Sequence, residues 1–112
     1  MQSQSQWLDM YKSMLSIRSD YRLAAKWQTS PSRISQIRRG RLKLSFAECL
    51  EIAAALQIEP LEILAALAYP AAKHHEQEAV KRVYYDALVK TIGARMSIAA
   101  TTGGYRNGWR RK

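Results

Sequence analysis

Asp20-Tyr-Arg-Leu-Ala-Ala-Lys-Trp-Gln-Thr-Ser-Pro-Ser-Arg-Ile-Ser-Gln-Ile-Arg-Arg-Gly40 is the stretch whose reading decides the fold. Ser19 or Asp20 can cap a short helix that carries Leu23 and Ala24 inward and ends near Trp27. Ser30-Pro31 opens a second helix, because the hydroxyl caps and proline is tolerated at the first helical position. Ile34 and Ile37, three apart, turn that helix against Leu23 and Trp27. Gly40 stops it after about Arg39 as a left-handed C-cap. Ser32, Arg33, Gln36 and Arg39 are left pointing away from the core. Two short helices joined by a tight turn result.

The flanking sequence continues in the same manner. Trp7, Met10, Tyr11, Met14 and Leu15 step by three and four, which marks an amphipathic helix ending near Ser16, after a flexible start over residues 1–6. Ser45-Phe46-Ala47-Glu48 fits a capping box, and the helix it opens runs to about Leu56. Pro60 opens another through about Ala68, with Leu61, Leu64 and Leu67 as its apolar stripe. Past Pro70, the spacing of Val80, Val83, Tyr84, Ala87, Leu88 and Ile92 predicts a sixth helix of about twenty residues. That stripe can pack on the preceding helices or on a second copy of itself. Thr101-Thr102-Gly103-Gly104 is a breaker run and reads as a hinge ahead of a flexible basic tail, 101–112. No strand precedes the glycine pair and no Gly-Lys-Ser/Thr follows it, so it is not a phosphate loop. No run alternates apolar and polar residues for long. The expected architecture is all-α: helices over 7–69, then a C-terminal amphipathic helix within 70–100.

Charge is segregated along the chain. Its 112 residues carry 18 Lys and Arg against 9 Asp and Glu, a net +9. Eight of the cations fall between Arg18 and Lys43 with one acid, Asp20. From Leu44 to Ala72 there is none, only Glu48, Glu51, Glu59 and Glu62. Such a surplus points to an anionic partner, either nucleic acid or an acidic lipid surface. A single cysteine, Cys49, excludes an internal disulfide. The longest apolar run, Ile63 to Ala72, is ten residues and contains Pro70, too short for a membrane span. The opening Met1-Gln2-Ser3-Gln4-Ser5-Gln6 has no basic or apolar region of a secretion signal, so a cytoplasmic location is expected.

Leu23-Ala24, the cap at Ser30, Ile34-Ser35-Gln36-Ile37 and Gly40 together resemble the helix-turn-helix of the lambda-repressor-like (Cro/C1, or XRE) family. Ile52-Ala53-Ala54-Ala55-Leu56-Gln57-Ile58-Glu59-Pro60 resembles that family's fourth helix and the turn into its fifth, so the resemblance covers about Leu8 to Ala68. It implies a five-helix DNA-binding domain that acts as a homodimeric transcriptional regulator, a small phage or bacterial repressor, on double-stranded DNA. Four positions depart from the pattern. Asp20 stands where the family often has a phosphate-contacting Gln, and is better suited to capping. Trp27-Gln28 replaces the common Leu-Gly at the turn, where a left-handed residue without glycine costs more. Pro31 removes a side-chain contact at the start of the recognition helix.

Within a helix-turn-helix the outer face of the second helix enters the major groove. Arg33 suits guanine, Gln36 suits adenine, and Ser32 suits either kind of base. Ser30, Arg38, Arg39, Arg41 and Lys43 are placed for the phosphate backbone. Arg106, Arg110, Arg111 and Lys112 of the tail can track phosphates or a minor groove. Neither a cofactor, a metal nor a catalytic group is expected: His74 and His75 are adjacent and point about 100° apart on a helix. Two other classes fit less of the sequence. One is an antitoxin or adaptor that binds a protein through its C-terminal helix; the other is a lipid-surface protein using that helix and the tail.

Overall fold

The computed structural model describes the backbone of residues 1–108 and the side chains of residues 1–96. The described residues form six α-helices and no strand: α1 (Gln4–Leu15), α2 (Asp20–Lys26), α3 (Pro31–Arg38), α4 (Phe46–Leu56), α5 (Pro60–Ala68) and α6 (Gln77–Gly108). Short 3₁₀ turns at Tyr69–Ala71 and His74–Glu76 join α5 to α6. No described helix is long and apolar enough to cross a membrane.

Serine starts each of the first four helices. The hydroxyls of Ser3, Ser19, Ser30 and Ser45 accept from the backbone N–H of Gln6, Arg22, Arg33 and Glu48. Each satisfies an amide that would otherwise lack a partner. Ser3 with Gln6, and Ser45 with Glu48, complete reciprocal capping boxes. Residues 4–6, expected as part of a free N-terminus, are therefore the first turn of α1. Ser19 rather than Asp20 is the cap of α2. Asp20 is then the first helical residue, and its carboxylate is spent elsewhere.

The core is one cluster that draws on every helix, with Trp7, Leu8, Tyr11, Leu23, Ile34, Ile37, Ile52 and Ile63 fully buried. α1 packs on α3 and α4, α2 on α3, and α5 on α4 and α6. Two stripes differ from expectation. On α1 the inward face is Trp7, Leu8 and Tyr11, while Met10, Met14 and Leu15 are exposed. On α5 the buried residues are Glu62, Ile63, Ala65 and Ala66, and Leu61 points to solvent. In both helices the apolar positions outnumber those one neighbouring surface can cover, so spacing alone admits a rotated face.

Much of α6 docks on α5. Tyr84, Ala87 and Thr91 are buried on its inner side, with Val80 and Leu88 packed at the edge of the core. Thr91 Oγ1 accepts from the Glu59 amide at 2.9 Å, and the Arg95 guanidinium donates to the Leu56 carbonyl at 2.9 Å. These two bonds fasten α6 to the connection between α4 and α5. The α6 backbone runs on through Thr101-Thr102-Gly103-Gly104, where a hinge is expected. Glycine in a helix costs about 1 kcal/mol against alanine but does not forbid it. The side chain of Arg106, and all of Arg110, Arg111 and Lys112, lie outside the described residues.

Among the described residues, three non-glycine residues have a left-handed backbone, Ser16, Gln28 and Gln57, as does Gly40. Gln28, at φ 56°, is the turn residue between α2 and α3. Gly40, at φ 78°, ends α3, and a Cβ there would meet nothing within 4 Å, so only its backbone conformation favours glycine. Opposite signs follow for two exchanges. Gly40→Ala is expected to destabilise by about 1 kcal/mol, and Gln28→Gly to stabilise by about 0.5–1 kcal/mol. The urea midpoints of the two variants, at unchanged slope, are the check.

Candidate nucleic-acid interface

α3 is positioned by its last residue. Arg38 donates from Nε to Asp20 Oδ2 (2.7 Å) and from Nη2 to Asp20 Oδ1 and Asp9 Oδ1 (2.9 Å each). Its Nη1 reaches the Ser5 hydroxyl (2.7 Å) and the Ser5 carbonyl (3.3 Å). A planar guanidinium paired through two nitrogens with one carboxylate is the strongest form of this contact. Asp20 also accepts from Lys12 Nζ at 2.8 Å. Arg38 thus ties α3 to α1 and α2 at once. Arg38, expected from the sequence at the phosphate backbone, spends its donors inside the protein instead. The guanidinium hydrogen bond holds Asp20 well below its ordinary 3.8, at about 2, with Lys12 adding to the effect against the opposing cost of burial.

The loop that follows α3 is clamped from α1. The Gln4 side-chain amide donates to the carbonyls of Ile37 and Leu42, and its oxygen accepts from the Leu44 amide, all at 2.9 Å. One side chain thereby fixes the course of residues 37–44. Arg39, Arg41 and Lys43 project from this segment, all exposed. None of the three forms an ion pair with a described residue.

Arg33 has a partner the sequence reading did not foresee. Its Nη2 donates to Glu48 Oε1 at 2.9 Å, and its Nη1 to Glu48 Oε2. Glu48 Oε1 also accepts from the Ser45 amide, completing the cap of α4. Burial would raise the Glu48 pKa, but the bonds from Arg33 and from Ser45 outweigh it and hold the carboxyl below its ordinary value. The pair is half-buried and joins the first turn of α3 to the first turn of α4. Arg33 keeps further N–H donors beyond the two spent on Glu48.

The remaining predicted residues divide simply. Ser32 is exposed and Gln36 half-buried on α3. Ser30 is exposed, with its oxygen engaged as the cap of α3. Arg22 and Lys26 on α2, which the site reading omitted, are exposed as well. Cys49 is buried, and burial, followed by the nearby Glu48 charge, pushes its thiol up to about 11. Compared with protein families, with curated proteins and with solved structures, the chain gives no match.

The Asp20 hub carries a pH signature. Its folded pKa is depressed, so the stability it supplies is complete above about pH 4 and is lost as pH falls through 3.8 toward 2. Asp20→Asn is expected to be less stable than the parent at pH 7 and no less stable at pH 2, so the two stability–pH curves converge. Arg38→Ala is expected to cost about 2–3 kcal/mol at pH 7, since it leaves the two carboxylates without their main partner. Denaturant unfolding at a series of pH values measures both.

Proposed function

We propose that the chain is a sequence-specific double-stranded DNA-binding regulator of the lambda-repressor-like type, with α2 and α3 as its helix-turn-helix and α3 in the major groove. The observation that carries this reading is the clamped segment after α3. It presents Arg39, Arg41 and Lys43, exposed and without ion-pair partners among the described residues, beside the exposed Ser32 and the half-buried Gln36. Phosphates taken by the three cations would set the register, and the α3 side chains would read base edges. Gln36 suits adenine and Ser32 either kind of base. Arg33 reads guanine in this scheme from an orientation preset by Glu48, as a side chain fixed in advance loses less entropy on binding.

The reading includes a homodimer. Tyr85, Val89, Ile92 and Met96 follow one another at spacings of four, three and four along α6, and are 49–67% exposed. That is the spacing of a coiled-coil seam, on the side of α6 that does not face α5. Two copies joined there would offer two α3 helices to one operator, and an inverted repeat is the site they would read. A different protein seated on the same seam is the second reading, and it predicts a monomer in isolation.

Selection of the full chain on a random duplex library tests the function. Enrichment of an inverted repeat with half-site centres about 34–36 Å apart is the expected result. Gln36→Ala should lose about 1–3 kcal/mol on that site, with relaxed preference at one base pair of each half. Changing Arg39, Arg41 and Lys43 to Ala should weaken all duplexes alike and flatten the dependence of log K on log salt. A pool that stays random after selection would end the proposal.

The oligomer is tested separately. Light scattering should give a dimer for the parent chain at micromolar concentration and a monomer for the Val89→Glu, Ile92→Glu double variant. Because both positions face solvent in the single chain, the variant should keep the parent's helical circular dichroism.

A further inference from the structure

A cleft of about 750 Å³ opens on the side of the molecule where the start of α1, the end of α3 and the end of α5 meet. Its size falls within the range of small-molecule sites. Ile37, Ala66, Leu67, Tyr69 and Pro70 supply its apolar surface. No acidic residue lines it, whereas Arg39 and Lys43 do, both exposed and unpaired among the described residues. Arg38 also borders it, but its charge is met by Asp9 and Asp20.

An apolar hollow with two uncompensated cations has a definite complement. A neutral apolar ligand would leave the cations unused, and a small inorganic anion would leave the apolar surface wet. A second copy of this chain fits less well, since it brings a further net +9 toward Arg39 and Lys43. We propose that the cleft binds a small amphipathic carboxylate, its aliphatic or aromatic body on Leu67, Tyr69 and Pro70 and its carboxylate on Arg39 and Lys43. Gln4 belongs to the same cleft and clamps residues 37–44. A ligand there touches the segment that bears the exposed cations.

Calorimetric titration of the full chain, without DNA, tests this independently of the proposed function. The probes are octanoate, its uncharged counterpart octanol, and inorganic phosphate. The expected result is saturable binding of one octanoate per chain, with octanol and phosphate each at least about tenfold weaker. Arg39→Gln combined with Lys43→Gln should weaken octanoate by about tenfold or more and leave octanol unchanged. Ala71 is exposed at the edge of the cleft, so Ala71→Trp should obstruct it and abolish octanoate binding without altering the fold. Four results would each overturn the proposal: no saturation by about 10 mM octanoate; octanol as tight as octanoate; phosphate as tight as octanoate; or octanoate binding unaffected by the paired glutamine exchange. Should Ala71→Trp fail to fold, the paired glutamine variant decides alone, since both of its side chains are exposed.

Discussion

The placement of α3 depends on one guanidinium. Arg38 closes α3, and its hydrogen bonds reach α1 through Ser5 and Asp9 and α2 through Asp20. Apolar packing of Ile34 and Ile37 brings the three helices together but is non-directional, so it tolerates a sliding or rotated α3. A fork of donors against two carboxylates and a hydroxyl does not. It fixes the angular setting of the helix, while the buried isoleucines add non-directional apolar burial. Gln4 performs the related task for residues 39–44, where no helix or strand holds the backbone.

The pair formed by Arg33 and Glu48 belongs to the same system of polar ties. It connects the starts of α3 and α4, so that both ends of α3 are anchored by an arginine. The acidic character of residues 44–72 has a local purpose here. Glu48 is engaged with a cation of the basic stretch, and Glu51 accepts from the Tyr11 hydroxyl at 2.8 Å. What the linear sequence presents as a basic block followed by an acidic one is, in space, partly a set of matched contacts. The cations left over are fewer than composition suggests, and Arg39, Arg41 and Lys43 on the segment after α3 are three of them.

Local signals in the sequence were faithful guides to the helices. Ser30-Pro31, Gly40, Ser45 with Glu48, and Pro60 all mark boundaries where the structure has them, because capping is decided within four residues. The same logic was available at Ser3-Gln4-Ser5-Gln6, whose Ser-x-x-Gln spacing is a capping box inside a stretch taken for a free end. Helix faces were harder: on α1 and α5 more apolar residues are present than one side can bury. The polar ties were the least legible. Arg38 with Ser5, and Gln4 with Leu44, join residues 33 and 40 positions apart. No spacing rule predicts which of several arginines finds two carboxylates. For that reason Arg38 and Arg33 look like free cations from the sequence, as Arg39, Arg41 and Lys43 do, and of these five only the last three have no ion-pair partner among the described residues.

Four successive serine caps have a consequence for how the chain reaches this arrangement. Each cap satisfies its amide within three residues, so the starts of α1 to α4 are specified before any distant contact exists. The closures that span more than thirty residues, by Gln4 and by Arg38, carry the larger loop entropy. Short-range pieces of this kind give low contact order, the property associated with rapid folding. Assembly therefore divides into fast local helix formation and a later registration step, in which α1 returns to the far end of α3. During synthesis Gln4 and Ser5 leave a ribosome more than thirty residues ahead of the partners Ile37, Arg38, Leu42 and Leu44 that they bond. Until those partners appear, the side chains of Gln4 and Ser5 lack the contacts that register α1 against α3.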